Sequence, residues 1–322
     1  MSDFSIGDAV GSGFSLIARR PLSALAWSLV YLVLVVIPAL THFAAIRPAW
    51  TGMMHTWIER MGAGGPPDFS EIQSYNMQMV QAGGLMWLSL FGSLLAWAIL
   101  SAAVYRSVLE PKKKSFASLR LGAQELWLAL LFIVVAILLV IAYLVIVAVA
   151  AVLVVLAALA GHAMSQPLGG LVAGLLIVAI CIGAIFAFLG ICVRFSLAGP
   201  LTFKERQFRL FESWTLTKGH GWKLFGLALL ITLIMIALSL VSMALSGVVF
   251  LGAVSANGFD PARLADTFAS GAWWRPFSPW FVAAAIVRAV LGTAFLVIMV
   301  APWATAFREL GGGLRHEHPA VF

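Results

Sequence analysis

From Leu126 to Ala160 the chain reads LWLALLFIVVAILLVIAYLVIVAVAAVLVVLAALA, an apolar stretch with neither glycine nor proline. Its 35 residues would form a helix about 50 Å long, because an α-helix rises about 1.5 Å per residue. The hydrocarbon core of a bilayer is only about 30 Å thick. The stretch therefore predicts a membrane helix that tilts strongly or projects beyond the bilayer. We expect projection, which would create an apolar ridge that needs a protein partner, a second copy or lipid to cover it.

The rest of the chain has the same character. Hydrophobic residues make up 62% of it and charged residues 10%, whereas a soluble domain has roughly a quarter charged residues. Six runs reach the length of about 20 apolar residues that a bilayer span requires. Their apolarity is continuous rather than alternating, which predicts helices and excludes a β-barrel. The runs are Pro21 to Leu40, Gly83 to Val108, Leu126 to Ala160, Gly169 to Ala198, Lys223 to Val254 and Pro279 to Phe307.

Basic residues are unevenly distributed over the loops. With six spans, the N-terminus, the loops after spans two and four, and the C-terminus share one side. That side carries fifteen of the 20 basic residues, which predicts cytoplasmic N- and C-termini by the positive-inside rule. Met1 to Arg20 lacks the basic start and apolar core of a signal peptide, so we expect the first run to remain as a span. The fifteen are Arg19, Arg20, Arg106, Lys112, Lys113, Lys114, Arg120, Arg194, Lys204, Arg206, Arg209, Lys218, Lys223, Arg308 and Arg315.

A repeated pattern organises these spans. Runs two, four and six end near Arg106, Arg194 and Arg308, each next to small or aromatic residues. Before runs one, three and five, apolar residues recur at helical spacing and predict amphipathic interfacial helices. Their apolar residues are Ile6, Val10, Phe14 and Ile17; Phe116, Leu119, Ala123, Leu126 and Trp127; and Phe208, Phe211 and Trp214.

The predicted fold is an all-α polytopic membrane protein with six transmembrane helices. They form three related hairpins, each preceded by a cytoplasmic amphipathic helix. The chain is one integral membrane domain, with units of about 1–110, 111–200 and 201–310 and a polar cytoplasmic tail at 311–322. The segment from Asp68 is predicted to run as one helix through Tyr75 to Val108.

The third unit contains the stretch FESWTLTKGHGWKLFGL, Phe211 to Leu227. This stretch resembles a motif of poorly characterised bacterial membrane proteins related to the membrane domain that accompanies some glycerophosphodiester phosphodiesterases. The resemblance extends best over Arg194 to Leu227, and more loosely over the layout of six spans. It implies a bacterial inner-membrane protein connected with envelope or lipid homeostasis. It implies no catalytic residues, because the phosphodiesterase active site lies in a separate soluble barrel.

The three arginines that end the hairpins have two interpretations. They are ordinary cytoplasmic anchors, or Arg106, Arg194 and Arg308 collect lipid phosphates while Lys112, Lys113 and Lys114 add attraction to anionic lipid. Positive-inside topology alone accounts for the first interpretation. The second predicts bound phospholipid at the cytoplasmic rim.

Arg288 is a charge inside the sixth run. An ionisable residue within a span is a candidate for function. It lies only nine residues after Pro279, so snorkelling to the interface or structural pairing accounts for it without a substrate. The six runs contain no carboxylate, which argues against proton-driven transport.

The remaining polar residues form no recognisable catalytic constellation. His55 and Glu59 have helical i, i+4 spacing, but two metal ligands without a third are a weak signal, and we predict no metal and no cofactor. Cys181 and Cys192 are three turns apart on one helix face, too far for a disulfide, and are read as buried small apolar residues. Gly170, Gly174, Gly183 and Gly190 favour close helix packing.

The function predicted from these features is a non-enzymatic inner-membrane scaffold or envelope and lipid-homeostasis protein. Its partners would be membrane phospholipids and either another protein or a second copy, and no soluble basic domain suits a nucleic acid. The alternative is a transporter or lipid-translocating protein with a path between the hairpins, in which Arg288 is the residue to test.

Overall fold

The structure is a computed structural model that describes residues 5–62, 69–111, 116–119, 122–164, 167–256 and 279–314. Within these ranges the regular structure is entirely helical. The helices are α1 Ile6–Arg19, α2 Pro21–Tyr31, α3 Ile37–Gly62, α4 Phe69–Gln81, α5 Gly83–Leu109, α6 Ala123–His162, α7 Leu168–Phe195, α8 Ala198–Glu205, α9 Glu212–Leu216, α10 Gly221–Ala256 and α11 Pro279–Leu314. A π-helical segment, Leu32–Val36, joins α2 to α3, and a 3-10 turn, Phe116–Ser118, precedes α6.

Six helical stretches are long and apolar enough to cross a membrane, as the sequence predicts. They are Pro21–Met53, Gly83–Leu109, Ala123–His162, Leu168–Glu205, Gly221–Val248 and Phe281–Gly311. The predicted excess length of span three is also confirmed, since α6 has 40 residues and measures about 60 Å.

Helices α5 and α11 form the centre of the bundle. Helix α11 packs against α1, α2, α5 and α10. The α5 side of this contact uses Ala98, Ala102 and Ala103, and the α11 side uses Ala301 and Ala304. All five are buried. Small side chains let two helix backbones approach closely, which is how membrane helices gain packing energy when lipid is as apolar as the protein.

The first helix of the chain packs on the bundle through three of its four predicted apolar residues, Ile6, Val10 and Ile17, whereas Phe14 departs from the prediction. Its buried residues are Ala9, Val10, Gly13 and Leu16, whereas Phe14 is 45% exposed. The reason is the close approach of α11: a Cβ added to Gly13 would lie 2.8 Å from the Ile298 Cα. A stripe of small residues therefore faces the protein, and the larger Phe14 does not.

The helix predicted to run unbroken from Asp68 to Val108 is in fact two helices. Helix α4 ends at Gln81, one turn residue follows, and α5 begins at Gly83. Gly83 and Gly84 weaken helix propensity at this point. Helix α4 packs beside α3, where the Tyr75 ring lies against Gly52.

The predicted second and third amphipathic helices also have other conformations. Ala117 and Ser118 have positive φ angles of 52° each, so residues 116–119 form a turn and the helix begins only at Ala123. Side chains from other helices bind the carbonyls of this turn. Trp27 Nε1, for example, donates to the Ala117 carbonyl at 2.7 Å. In the third predicted amphipathic segment, which contains Phe208, Phe211 and Trp214, only the five residues of α9 are helical.

The π-helical segment coincides with a close helix contact. Pro38 has no N–H, so the donor that an α-helix would offer to the Leu34 carbonyl is missing. The Leu34 carbonyl oxygen lies against Gly92 of α5, in the space that a side chain would need. The neighbouring helix thus approaches at the point where the first span has lost a backbone hydrogen bond, as membrane helices with proline require.

Candidate functional site

Arg106, Arg194 and Arg308 lie at the same end of the bundle, here called the basic end. They stand near the C-terminal ends of α5, α7 and α11. Arg308 Nη1 donates to the Val108 carbonyl at 3.4 Å, which brings α11 beside α5. Gly199, just after α7, packs against the Tyr105 hydroxyl. Basic side chains near helix C-termini are favourable because they face the unpaired carbonyls of the last turn.

Arg106 forms a buried ion pair with Glu125 in the first turn of α6. The two side chains are 11% and 5% exposed. Arg106 Nη1 also donates to the Ser118 carbonyl at 2.7 Å, and its guanidinium lies 5.5 Å from the centre of the Phe203 ring. Three charge-stabilising partners from different parts of the chain therefore surround this guanidinium.

Glu125 is also positioned by a backbone hydrogen bond at the start of its own helix. Its Oε2 accepts the Gly122 N–H at 2.9 Å, which caps the start of α6, while its other oxygen faces Arg106. A carboxylate in the first turn also suits the positive end of the helix dipole. The site joins α5, residues 116–119, α6 and α8, and we call it the Arg106–Glu125 junction.

Sequence reasoning missed this junction because it placed the start of span three at Leu126. The helix begins at Ala123 and includes Glu125, and two other spans include Glu205 and Glu309 near their ends, so the prediction that the spans lack carboxylates is wrong. The available signal was Glu125 three residues after Gly122, a spacing that is typical of a helix start.

Helix α8 is a second feature that the sequence did not reveal. The fourth span was predicted to end at Ala198, but after a turn at Ser196 and Leu197 the chain continues as α8. Its first six residues, 198–203, are all buried. Phe203 also packs on Tyr105, with ring centres 5.7 Å apart. Helix α8 thus supplies the aromatic wall of the junction.

Arg194 is held by the stretch that carries the family resemblance. Ser213 Oγ donates to the Arg194 carbonyl at 2.7 Å, and Arg194 Nη1 donates to Thr217 Oγ1 at 3.3 Å. The Trp214 ring lies under the guanidinium at 5.4 Å. Ser213 and Thr217 are fully buried. The motif therefore fastens the 212–217 turn onto the end of α7, and Gly219, with φ +86°, turns the chain into α10.

The loop before this turn is exposed and rich in charge. Arg209 pairs with Glu205 at 3.0 Å and with Glu212 at 2.8 Å. The hydrogen bond from Arg209 holds the pKa of the Glu212 carboxyl below its usual range. Thr202 Oγ1 accepts the Arg209 N–H at 3.2 Å, which fixes the loop against α8. Both carboxylates of the loop are thus engaged with one arginine.

The three arginines are not equivalent in the structure. Arg106 is enclosed by protein groups, Arg194 is half-buried and lies over the Trp214 ring, and Arg308 is exposed. Arg194 Nη1 also donates to the Trp214 carbonyl at 3.5 Å. Arg308 donates to the Val108 carbonyl alone among the bonds that the described residues show. Lys112, Lys113 and Lys114 lie outside the described residues. The three arginines that were predicted to bind lipid phosphates therefore differ in how accessible they are to a ligand.

Arg288 lies on α11, twenty residues before Arg308 along the sequence, and is exposed. One turn further along α11, the Tyr31 ring packs on Gly292. Within the described part of the chain no carboxylate pairs with Arg288.

The other predicted residues bring no site together. His55 and Glu59 belong to α3, but their side chains lie outside the described ones. No cluster of three metal-ligating residues occurs among the residues that the structure describes. Cys181 and Cys192 are free thiols, and Cys181 is exposed, so its prediction as a buried residue is wrong.

The glycines predicted to pack α7 face open space instead. A Cβ added to Gly174, Gly183 or Gly190 would meet nothing within 4 Å. Helices α6 and α7 touch most closely through Gly161 and Gly169 near the tip of the hairpin.

No family model matches the chain, and no curated protein or solved structure shows significant similarity to it.

Proposed function

We propose that the protein is a non-enzymatic scaffold of the bacterial inner membrane that acts through contacts with lipids and other proteins. In this proposal the exposed rim of the basic end binds anionic phospholipid headgroups. The observation that carries it is the contrast between the arginines: Arg106 is enclosed, whereas Arg194 is half-buried and Arg308 is exposed. The resemblance of residues 211–227 to membrane domains associated with phosphodiesterases agrees with an envelope or lipid-related role.

The surroundings of Arg194 suit a lipid headgroup. Trp214 is 46% exposed and Trp222 is 83% exposed, and such aromatic rings prefer the headgroup region of a bilayer. Lysine and arginine near an anionic surface contribute about 1 kcal/mol each. Five basic residues lie between positions 204 and 223, against two carboxylates that Arg209 already engages. The five are Lys204, Arg206, Arg209, Lys218 and Lys223.

We expect the Arg194→Gln/Arg308→Gln double variant to bind phosphatidylglycerol about thirtyfold more weakly, since two contributions of about 1 kcal/mol each are removed. Native mass spectrometry of the protein in mild detergent with added phosphatidylglycerol measures the effect. Arg47→Gln, on α3 towards the other end of the bundle, removes the same charge and serves as the control, with no change expected. Unchanged lipid retention in the double variant would contradict the proposal. Saturable flux in proteoliposomes that Arg288→Ala abolishes would support the transport alternative instead.

We also propose that the basic end is cytoplasmic, which the distribution of lysine and arginine supports. In a Cys181→Ser/Cys192→Ser background, a membrane-impermeant maleimide added to intact cells should label Gln73→Cys on α4. It should leave Lys218→Cys unlabelled until the membrane is permeabilised. The reverse pattern would mean the opposite orientation.

We also propose that the three hairpins arose by duplication of one ancestral hairpin. Spans that are adjacent in sequence contact each other: α3 with α5, α6 with α7, and α10 with α11. These contacts fit duplication of one hairpin, followed by divergence of the segments that lead into each pair.

A further inference from the structure

The hairpin of α6 and α7 packs against the rest of the bundle only near its base. On α6 the residues that join the core end at Leu138. On α7, Phe186 packs against Phe225 of α10, with ring centres 6.3 Å apart, and Val193 joins the core nearer the basic end. The described residues between these points, 139–164 and 167–185, contribute nothing to a core cluster. We call residues 139–164 and 167–185 the arm.

Most of the arm is exposed. Among its described residues only Ala157, Gly161 and Gly169 are buried. Gly161 and Gly169 lie against each other, so their burial comes from the contact between α6 and α7 and not from the bundle.

The exposed surface of the arm is apolar on every side. Val140, Ile141, Tyr143, Leu144 and Val145 are each at least half exposed. Successive residues of an α-helix are about 100° apart, so these five side chains span about 200° of the surface of α6, and α7 packs along this helix as its partner in the hairpin. A protein partner would cover one side of the hairpin only. A helix that is apolar all round belongs in a protein interior or in a membrane, and no protein interior surrounds the arm.

The length of the hairpin then sets its inclination. The apolar stretch from Leu126 to Ala160 measures about 50 Å. It fits within the bilayer, about 40–45 Å with its interfacial regions, at an inclination of about 25–37° from the normal. It fits within the hydrocarbon core alone, about 30 Å, at about 53°. Spans usually tilt by up to about 40°, so the arm lies in the upper part of that range or beyond it.

We propose that the arm lies inside the bilayer, inclined away from the bundle and surrounded by acyl chains on all sides. The tip of the hairpin then lies roughly 20–40 Å to the side of its base within the membrane plane. This inclination replaces the projection expected from the sequence. It extends the reach of the protein towards lipids and towards other proteins in the same membrane, and it is independent of headgroup binding at the basic end.

Fluorescence quenching by labelled lipids tests this placement. Single cysteines at Leu144→Cys, Val152→Cys and Leu156→Cys, in a Cys181→Ser/Cys192→Ser background, are labelled with bimane and reconstituted into phosphatidylcholine and phosphatidylglycerol vesicles. Each of these side chains is more than half exposed, so the substitution disturbs little packing. Ile133→Cys, near the base of α6, is the lipid-facing control, and Gln73→Cys on the polar helix α4 is the water-facing control.

We expect nitroxide-labelled acyl chains to reduce the emission of all three arm positions at least twofold, as for Ile133→Cys, while iodide in the water has little effect. Emission that responds to iodide and not to the lipid quencher, as for Gln73→Cys, would mean projection into water and would overturn the proposal. Protection from both quenchers would mean that a second copy covers the arm, which would also overturn it.

Discussion

Replacing Glu125 with glutamine should lower the free energy of unfolding by about 3–5 kcal/mol, because it leaves the Arg106 guanidinium buried without its counter-charge. The substitution keeps the shape of the side chain, so the loss reports the charge and not a cavity. Arg106 retains the Ser118 carbonyl at 2.7 Å and the Phe203 ring, which are weaker substitutes for a carboxylate. Equilibrium unfolding in mixed micelles, with sodium dodecyl sulfate as the denaturant, gives the free energy directly.

The matched control for this variant is Glu212→Gln. Glu212 also pairs with an arginine, Arg209, but this pair is solvent-exposed. Exposed pairs contribute little to stability, so we expect no measurable change. If both variants behaved alike, the burial of the Arg106–Glu125 junction would have no energetic importance.

A double-mutant cycle separates the pair from its surroundings. The Arg106→Met/Glu125→Gln double variant should be more stable than the sum of the two single losses predicts, because neither charge is left alone. Simple additivity of the two losses would show that Arg106 and Glu125 do not interact.

The second large effect is expected at Gly92. In Gly92→Leu the new Cβ would occupy the position of the Leu34 carbonyl oxygen, so α5 and the first span must separate. Backbone cannot rotate aside as a side chain does, and we expect a loss of about 3 kcal/mol, towards the upper end of overpacking effects. The loss would appear in the same unfolding assay and as a lower melting temperature in detergent.

Gly174→Leu provides the control, because a side chain at Gly174 meets nothing within 4 Å. The same change there should be neutral or stabilising by up to about 1 kcal/mol through helix propensity. A Gly92→Leu protein as stable as Gly174→Leu would show that α5 and Leu34 are not in close contact.

The spans could be predicted from the sequence because the signal for each of them is local. Thirty-five consecutive apolar residues from Leu126 require a membrane, whatever the rest of the chain does. The unusual length of α6 follows in the same way, by counting residues. Local composition sets the length and class of each helix, so this part of the fold is readable without tertiary information.

The predictions that were wrong concern features that depend on contacts between residues distant in the sequence. Ala117 and Ser118 adopt left-handed conformations because Trp27 and Arg106, from two other helices, bind their carbonyls. A helical projection of residues 116–127 contains no trace of those partners. The exposure of Phe14 on α1 has a similar reason, since the nearness of Ile298 makes Gly13 a contact residue.

The common position of the three arginines could be predicted from the sequence, but their partners could not. Arg106, Arg194 and Arg308 share one end, as the positive-inside pattern requires. Their different partners depend on Glu125, Trp214 and Phe203, whose positions follow from the turns after α5, α7 and α8. Sequence symmetry suggested three equal arginines, and tertiary packing makes them different.

The Arg106–Glu125 junction also constrains the order in which the protein can be assembled during synthesis. Arg106 emerges from the ribosome before Glu125, and Phe203 follows only at the end of the fourth span. The guanidinium can therefore gain its counter-charge while the third span is being inserted, but its aromatic wall arrives with the end of the fourth. Until α8 docks, Arg106 has its counter-charge but not its contact with the Phe203 ring. The nascent chain therefore cannot complete the Arg106–Glu125 junction before both helices of the hairpin have been made.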